Sequence, residues 1–245
     1  MTSNKQDLKS FKVMGFDTMG TLLDEKSGII TAFEPTRKHL NDSIPGEDLY
    51  EAFEKFLKQH MKSQGPQVSY RKIMADAHRE ATEELSKGAY SPPEAESLAF
   101  SDGLKSWPAF PDTVAAMQTL AKRSKLVLLS NMDTETLSYI AEKGELRDVP
   151  IAAVIGRDKS GGFKPDHRVN QALVDAAKTE FGVEKEHVLL VAQGVESDHV
   201  PAREMGISSA WVDRYGRGRE SMEKTGARPG WVVSKLSELA DELNR

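Results

Sequence analysis

Residues 11–21 read FKVMGFDTMGT, an apolar run that stops at Asp17 and continues into a glycine-containing turn. A continuous apolar run of this length is typical of a strand that is buried on both faces, as in a parallel sheet. We therefore predict a strand over 11–16 that ends at Asp17. This ending holds the Asp17 carboxylate at the edge of the sheet, beside the backbone N–H groups of the turn.

Five further apolar runs follow along the chain, and segments with helical spacing separate them. The runs cover 126–129, 151–155, 188–192 and, less clearly, 208–212 and 231–233. Helical segments with apolar residues at a period of 3.6 follow four candidate N-cap residues: Asp112, Asp133, Asp166 and Ser234. This alternation of strand and helix predicts an α/β fold with a doubly wound parallel sheet.

Residues 24–105 interrupt the alternation, because they carry helical patterns and no convincing strand. Leu49 and Phe53 share one helical face, and Ile73 and Ala77 share another. We therefore predict an all-helical insert after the first strand. The predicted organisation has two domains: an α/β core, 1–23 with 106–245, and a helical insert, 24–105.

The composition excludes several classes of function. The chain has 245 residues, 38% of them hydrophobic, which is enough for a sizeable core, and a net charge of −5. This charge gives no electrostatic reason to expect nucleic acid or an anionic membrane surface. Cysteine is absent, which excludes disulfides and Cys-ligated zinc. The polar N-terminus and the lack of a long apolar stretch predict a cytoplasmic protein outside the membrane.

Polar residues with complementary chemistry follow the predicted strands, at the end of a sheet where α/β proteins bind ligands. They are Asp17, Ser130 with Asn131, Lys164, and the segment 193–198 that ends in Asp198. A hydroxyl and an amide can donate to a substrate oxygen or leaving group, and a lysine can keep a carboxylate ionised. A helix cap or a solvated loop explains each residue alone, so the prediction depends on their order along the chain.

That order resembles the four motifs of the haloacid dehalogenase-like (HAD) superfamily. The matching residues are Asp17-x-x-Gly20-Thr21, Ser130-Asn131, Lys164-Pro165 and Asp198. The likeness extends over nearly the whole chain, since many such enzymes carry a helical cap domain where this chain has its insert. The strings at 107–111, 129–131, 191–193 and 198–202 are similar to the 2-haloacid dehalogenase branch, including its fungal relatives. The resemblance implies a hydrolase with a Rossmann-like core and a helical cap.

The resemblance also implies roles for single residues. Asp17 is the implied nucleophile, which forms a covalent ester with the substrate, and Lys164 keeps it ionised. Asp198 is the implied base for the water that hydrolyses this ester, with His199 in reserve, and Ser130 is the remaining catalytic candidate. The implied substrate-binding residues are Thr18, Met19, Thr21, Asn131, Gln193, His199 and Arg37.

Two positions depart from the phosphatases of this superfamily. Phosphatases carry a second aspartate two residues after the nucleophile as a general acid, where this chain has Met19, which cannot transfer a proton. They also carry an acidic pair in the fourth motif that helps to bind Mg²⁺, whereas Gln193 is neutral. Because Mg²⁺ prefers several charged oxygen ligands, Asp17 and Asp198 alone predict no bound metal and no cofactor.

The dehalogenase branch is matched incompletely as well. Its members carry a tyrosine where this chain has Met19, and an arginine early in the cap, where this chain has Glu47 and Asp48. Arg37 is the candidate substitute for that arginine. The predicted function is therefore hydrolytic removal of halide from a small 2-haloacid, or hydrolysis of another small molecule by a relative. The alternatives are a phosphatase acting on a small phosphate ester and a non-catalytic HAD-like binding protein.

The expected partner is a small-molecule substrate. We expect no nucleic acid and no membrane, and the sequence leaves a homodimer open.

Overall fold

The structure is a computed structural model that describes residues 6–41, 43–64, 68–216 and 218–244. Residues 1–5, 217 and 245 of the predicted core and residues 42 and 65–67 of the predicted insert lie outside the described residues. The chain divides into two compact units, which we call the core unit, Met1–Leu23 with Ala109–Arg245, and the helical unit, Asp24–Pro108.

The helical unit ends at Pro108, whereas the sequence pattern places the boundary at 105. Two contacts explain the difference. The Asp24 N–H donates to the Pro108 carbonyl oxygen over 2.8 Å. The Trp107 ring lies so close to Gly28 that a Cβ added to this glycine would stand 2.5 Å from it. Both contacts tie the exit of the unit to its first helix.

The core unit contains a parallel sheet of six strands in the order β3-β2-β1-β4-β5-β6. The strands are β1 (Val13–Phe16), β2 (Lys125–Leu129), β3 (Ile151–Ile155), β4 (Val188–Ala192), β5 (Ser208–Val212) and β6 (Trp231–Val233). Every apolar run that the sequence analysis interprets as a strand is a strand, and the predicted fold class is confirmed. The first strand begins at Val13 instead of Phe11, because the Phe11 N–H closes a 3-10 turn on the Leu8 carbonyl.

The order of the strands makes β1 the centre of the sheet, with β2 on one side and β4 on the other. The chain passes outward from β1 through β2 to β3 and then returns to place β4 against β1. The direction of winding reverses between β1 and β4, and such a switch point leaves a crevice at the carboxyl ends of the two strands.

The described residues of the helical unit form five α-helices and a 3-10 turn, and they contain no strand. The helices are α1 (Glu25–Ala32), α2 (Glu34–Arg37), α3 (Gly46–Ser63), α4 (Tyr70–Leu85) and α5 (Glu94–Asp102), and the turn covers Gly103–Ser106. Phe33, Phe53 and Phe100 meet with ring centroids 5.1–6.4 Å apart, so the unit has an aromatic core of its own.

In the described part of the core unit, seven α-helices flank the sheet. They are α6 (Thr113–Leu120), α7 (Thr134–Glu142), α8 (Arg157–Ser160), α9 (His167–Phe181), α10 (Val200–Glu204), α11 (Gly218–Thr225) and α12 (Leu236–Leu243). Within the ranges that the structure describes, no helix is both long and apolar enough to span a membrane.

The predicted N-caps have different fates. Asp166 caps α9, since its carboxylate accepts a backbone N–H of the first turn over 2.9 Å. Asp112 and Asp133 stand at the N-cap positions of α6 and α7, but neither side chain caps its helix. Each carboxylate pairs with an arginine instead, Arg214 at 2.6 Å and Arg157 at 2.8 Å respectively. A charged partner competes successfully with a backbone N–H for the same oxygens.

The prediction that Ser234 caps the last helix is wrong. Helix α12 begins one residue later, with Lys235 at its N-cap position. Ser234 instead contacts the carboxylate of Glu238, through its hydroxyl at 2.6 Å and its N–H at 3.1 Å.

Gly15 allows a helix to pack closely on the central strand. It lies in the middle of β1, and a Cβ added there would stand 2.3 Å from a methyl carbon of Leu173 in α9. Leu173 is fully buried, and it belongs to an apolar cluster that contains Val127 of β2 and Leu190 of β4. The missing side chain at position 15 therefore sets the distance between α9 and the sheet.

We expect Gly15→Ala to lower the free energy of unfolding by about 1–3 kcal/mol, because the new methyl group overpacks a core that cannot yield without moving α9. Gly230→Ala is the matched control, since its added Cβ would lie 3.8 Å from the nearest atom in the same unit. Urea denaturation of both variants measures the difference. Equal stabilities would contradict the close approach of α9 to β1.

Candidate active site

The candidate residues converge on the switch point of the sheet. Asp17 follows β1, and Ser130 follows β2 directly. Asp198 lies in a π-helical turn, Val195–His199, that follows β4. Lys164 lies in the loop between α8 and α9. Because β1 lies between β2 and β4, these residues meet at one edge of the sheet.

The Lys164 ammonium group lies between two carboxylates. Its Nζ is 2.7 Å from Asp17 Oδ1 and 2.7 Å from Asp198 Oδ1, and it also donates to the Leu129 carbonyl oxygen at 3.1 Å. The contact with Asp17 is an aligned hydrogen bond, whereas the contact with Asp198 is a close ion pair without hydrogen-bond alignment. The exposed fraction of the side chain is 3% for Lys164, 12% for Asp17 and 2% for Asp198, so water screens these charges weakly.

Asn131 and Ser130 shape the loops around this cluster. Asn131 Oδ1 accepts the backbone N–H of Lys164 over 2.8 Å, which fixes the loop that carries the lysine. Ser130 is buried, and its oxygen accepts the Met132 N–H at 3.2 Å. The catalytic role predicted for Ser130 and the substrate contact predicted for Asn131 stay predictions.

Thr21 orients the second oxygen of Asp17. Its hydroxyl donates to Asp17 Oδ2 over 2.6 Å and accepts the backbone N–H of Gln193 over 2.9 Å. A hydroxyl group has one proton, and here the carboxylate receives it. The substrate contact predicted for Thr21 stays a prediction. Thr21 is fully buried, and its only donor already serves the carboxylate.

Asp198 is held by its own turn. Its Oδ2 accepts the hydroxyl of Ser197 over 2.6 Å, a contact that the sequence analysis missed although the two residues are adjacent. A Cβ on Gly194 would stand 2.6 Å from the same oxygen, so only glycine leaves room for the carboxylate in this conformation. Gly194 and Ser197 together direct Asp198 toward Lys164.

Both ring nitrogens of His199 have hydrogen-bond partners within the core unit. Its Nε2 contacts the Ala192 carbonyl oxygen at 3.0 Å and therefore carries the proton, while Nδ1 accepts from the Ser209 hydroxyl at 2.9 Å. Burial lowers the pKa of His199 to about 4. These contacts engage both nitrogens of the neutral ring, and the reserve-base and substrate-binding roles of His199 stay predictions.

Four other residues were predicted to bind substrate. Thr18 is fully buried, and its hydroxyl has no hydrogen-bond partner among the described residues. Met19 is half-buried. Arg37 lies in the helical unit, where it pairs with Glu34 at 2.9 Å and donates to a backbone carbonyl. Gln193 engages its backbone groups with Thr21 and with a tryptophan indole N–H. The substrate contacts of these four residues stay predictions.

The electrostatics of the cluster follow from burial. Burial raises the pKa of Asp17, and the nearby Asp198 carboxylate raises it further, although Lys164 and Thr21 oppose both effects. Burial alone would lower the pKa of Lys164, but the two carboxylates outweigh it and raise the pKa. The lysine is therefore charged, and with both carboxylates ionised the cluster carries a net charge of −1.

A magnesium ion fits this arrangement poorly. Within the described residues no group of three or more His, Asp or Glu side chains is placed to hold a metal. The two carboxylates nearest to such a site already share the Lys164 ammonium, and Gln193 adds only a neutral group. Because Mg²⁺ requires near-octahedral oxygen coordination, this donor set does not favour it.

An aspartate that follows the central strand, paired with a lysine at the switch point of a parallel sheet, places the protein among the α/β proteins with a carboxylate-based site. Residues 11–206 match the sequence model of a family described as haloacid dehalogenase-like hydrolases. The chain belongs to this family, and it is a hydrolase. The superfamily identified from the four motifs is confirmed.

Solved structures show the same fold over almost the whole chain. The L-2-haloacid dehalogenase from Xanthobacter autotrophicus has a TM-score of 0.75 at 20% identity, with 96% of this chain and 98% of that chain covered. The same enzyme with chloropropionic acid covalently bound has the same values. The HAD protein YfnB from Bacillus subtilis, bound to magnesium, has a TM-score of 0.75 at 15% identity, with 96% and 99% covered. No sequence among the curated proteins matches the chain.

At these identities the structural likeness shows the fold alone. The similar proteins include dehalogenases and a magnesium-bound protein, so the shared fold is compatible with more than one reaction, and the residues of this chain distinguish between them.

We expect Lys164→Met to lower the free energy of unfolding by about 3–5 kcal/mol, because it leaves two buried carboxylates without a counter-charge. Asp17→Asn should not lower stability at pH 7. Because the pKa of Asp17 is higher in the folded than in the unfolded protein, the protonated carboxyl group stabilises the fold at low pH. This stabilisation is lost as the pH rises through the raised pKa. The neutral amide of Asn does not ionise, so the variant avoids this loss of stability at pH 7. The ion pair between Lys164 and Asp198 remains.

Denaturation of both variants at pH 7 measures this contrast. Lys178→Met is the control, since Lys178 lies exposed on α9 with a pair to Glu184 at 3.3 Å, and its loss should change little. If Asp17→Asn proves as damaging as Lys164→Met, the assigned charge balance is wrong.

Proposed function

We propose that this protein is a metal-independent hydrolase of small molecules that uses Asp17 as a nucleophile and passes through a covalent aspartyl ester. Removal of halide from a small 2-haloacid is the first reaction to test. The observation that carries the proposal is the contact of one buried ammonium, on Lys164, with both Asp17 and Asp198 at 2.7 Å.

In the first step an oxygen of Asp17 attacks the carbon that bears the leaving group. A C–O bond forms, the carbon–halogen bond breaks, and the halide leaves with the electron pair. Attack requires the ionised carboxylate, which Lys164 and Thr21 stabilise through one hydrogen bond to each oxygen. Each oxygen keeps a further lone pair for the attack.

In the second step water attacks the carbonyl carbon of the Asp17 ester. Asp198 accepts a proton from this water, and Lys164, which contacts Asp17 Oδ1, offsets the negative charge that develops on the ester carbonyl oxygen. Collapse of the tetrahedral intermediate expels the substrate alkoxide, which takes the proton from Asp198. Asp17 loses the second water proton to solvent, so the products are an alcohol, a halide ion and a proton.

The charges of the cluster favour this sequence of steps. Esterification removes the charge of Asp17, so Lys164 and Asp198 are then left as a neutral pair. Asp198 is 1% exposed and remains next to the ester as the water-activating base. Its two oxygens contact Lys164 and Ser197, and a carboxylate can accept further hydrogen bonds beside these.

The phosphatase alternative is less well supported. It would need a general acid at Met19, and it would need Mg²⁺ where Lys164 already lies between the two carboxylates. The non-catalytic alternative leaves unexplained why Asp17, Lys164 and Asp198 are brought together in a buried position. A cytoplasmic location and a homodimer stay predictions.

We expect Asp198→Asn to accumulate the Asp17 ester, because attack on the substrate survives while water activation is lost. Wild type should turn over the substrate and incorporate ¹⁸O from labelled water into Asp17 under single turnover. Asp17→Asn should neither turn over nor gain mass. Mass spectrometry of the intact protein and of the peptide that carries Asp17 measures all three, after incubation with 2-chloropropionate, p-nitrophenyl phosphate or p-nitrophenyl acetate.

Asp175→Asn is the matched control, because Asp175 is an exposed aspartate on α9. It should behave like the wild type. An Asp17→Asn variant with wild-type turnover would refute the covalent mechanism. An inactive Asp198→Asn variant without trapped ester would remove Asp198 as the base.

We expect activity to survive exhaustive treatment with EDTA, because the proposed steps use only side chains and water. The measurement compares the initial rates of treated protein, untreated protein and treated protein supplied with Mg²⁺. Loss of the rate with EDTA and its return with Mg²⁺ would contradict the proposal. Such a result on the phosphate ester would favour the phosphatase alternative.

A further inference from the structure

Arg214, which follows β5, is a buried cation that the proposed mechanism does not use. Its side chain is 3% exposed. Nε donates to the backbone carbonyl oxygen of Thr21 at 3.0 Å, and Nη1 donates to Asp112 Oδ1 at 2.6 Å. The guanidinium carbon lies 4.3 Å from the centroid of the Phe110 ring. Contacts on three sides therefore hold the guanidinium plane in one orientation.

The anchor of Arg214 is itself fixed. The other oxygen of Asp112 accepts the backbone N–H of Ser237, in the first turn of α12, at 3.0 Å. Burial raises the pKa of Asp112, but the hydrogen bonds from Arg214 and Ser237 outweigh burial and lower it. The ion pair is thus charged at neutral pH, and it joins the starts of α6 and α12 to the loop after β5.

A single residue, Thr21, connects Arg214 to the proposed nucleophile. The Thr21 carbonyl oxygen accepts from Arg214, and the Thr21 hydroxyl donates to Asp17 Oδ2 at 2.6 Å. The same hydroxyl accepts the N–H of Gln193, so its direction depends on where the Thr21 backbone is held. Three strand ends, those of β1, β4 and β5, are linked through this one residue.

We propose that Arg214 is a positioning residue for Asp17, which holds the Thr21 carbonyl so that the Thr21 hydroxyl remains directed at the Asp17 carboxylate. The catalytic meaning of this inference rests on the proposed function. The contacts of Arg214 and Thr21 do not rest on the proposed function, because the titration of Asp17 tests them without a substrate. The other groups that influence this titration are Lys164, Asp198 and the neutral His199.

The experiment follows the Asp17 carboxyl carbon by ¹³C NMR in protein labelled at aspartate, with Asp17→Asn to assign the signal. We expect Thr21→Val to raise the pKa of Asp17 by about one unit, since it removes a hydrogen bond to the charged form. Arg214→Met should raise the pKa in the same direction by about half as much. The double variant should match Thr21→Val alone, because Arg214 acts only through Thr21.

Arg203→Met is the control for loss of an arginine. Arg203 also donates to a backbone carbonyl, that of Thr225 at 2.8 Å, but it lies half-exposed on α10 beside Glu204. It should leave the titration of Asp17 unchanged. If Arg214→Met does not fold, Arg214→Lys takes its place, since lysine keeps the charge but lacks the planar fork that serves Thr21 and Asp112 together.

Three results would overturn the inference: an Asp17 titration that Arg214→Met or Arg214→Lys leaves unchanged, a Thr21→Val variant without a shift, or additive shifts in the double variant. Each would reduce Arg214 to a structural ion pair.

Ester formation, measured in parallel on the same variants, separates this inference from the proposed function. If the variants shift the pKa of Asp17 but neither they nor the wild type form an ester, the positioning role is supported and the role of Asp17 as nucleophile is refuted. The positioning role alone would be refuted if the wild type forms the ester and Arg214→Met forms it at the same rate, with the same pKa of Asp17. Where turnover is found, kcat should fall about threefold or more in Arg214→Met while KM stays near the wild-type value.

Discussion

Two carboxylates and one ammonium group are buried together at the end of the central strand, and an isolated charge at such a depth would cost several kcal/mol. Lys164 makes the arrangement tolerable because it contacts both Asp17 and Asp198 at 2.7 Å. Pairing does not neutralise the cluster completely, since two negative charges face one positive charge. Burial raises the pKa of Asp17, and the Asp198 carboxylate raises it further, so keeping the proposed nucleophile ionised has an energetic cost.

The fold meets this constraint by arranging backbone around the cluster. The switch point between β1 and β4 brings the two aspartates to neighbouring strand ends. Asn131 holds the backbone of Lys164, and Thr21 donates to the second oxygen of Asp17. Gly194 has no side chain that would collide with Asp198. Each of these contacts restricts one carboxylate or the lysine to a single orientation, as a pre-organised site requires.

The prediction from sequence is most accurate where the spacing of apolar residues matches the burial of the element they form. All six strands follow from apolar runs, because strands of a parallel sheet are buried on both faces and tolerate few polar residues. The prediction fails where a side chain has two possible partners. Asp112 and Asp133 have the local signature of helix caps, yet each pairs with an arginine distant in the chain. The partners of the His199 ring, the Ala192 carbonyl and the Ser209 hydroxyl, also follow only from the structure.

The sequence by itself determined the fold class, the six strands and the superfamily, because apolar period and the order of four motifs are properties of the chain. It also brought Asp17, Lys164 and Asp198 into one hypothesis. Only the tertiary structure decided that the Thr21 hydroxyl donates to Asp17 and that Arg214 contacts the Thr21 carbonyl. Thr21 lies only four residues from Asp17, but the direction of its hydroxyl depends on three-dimensional contacts that no local pattern records, and Arg214 is 193 residues away from Thr21 along the chain.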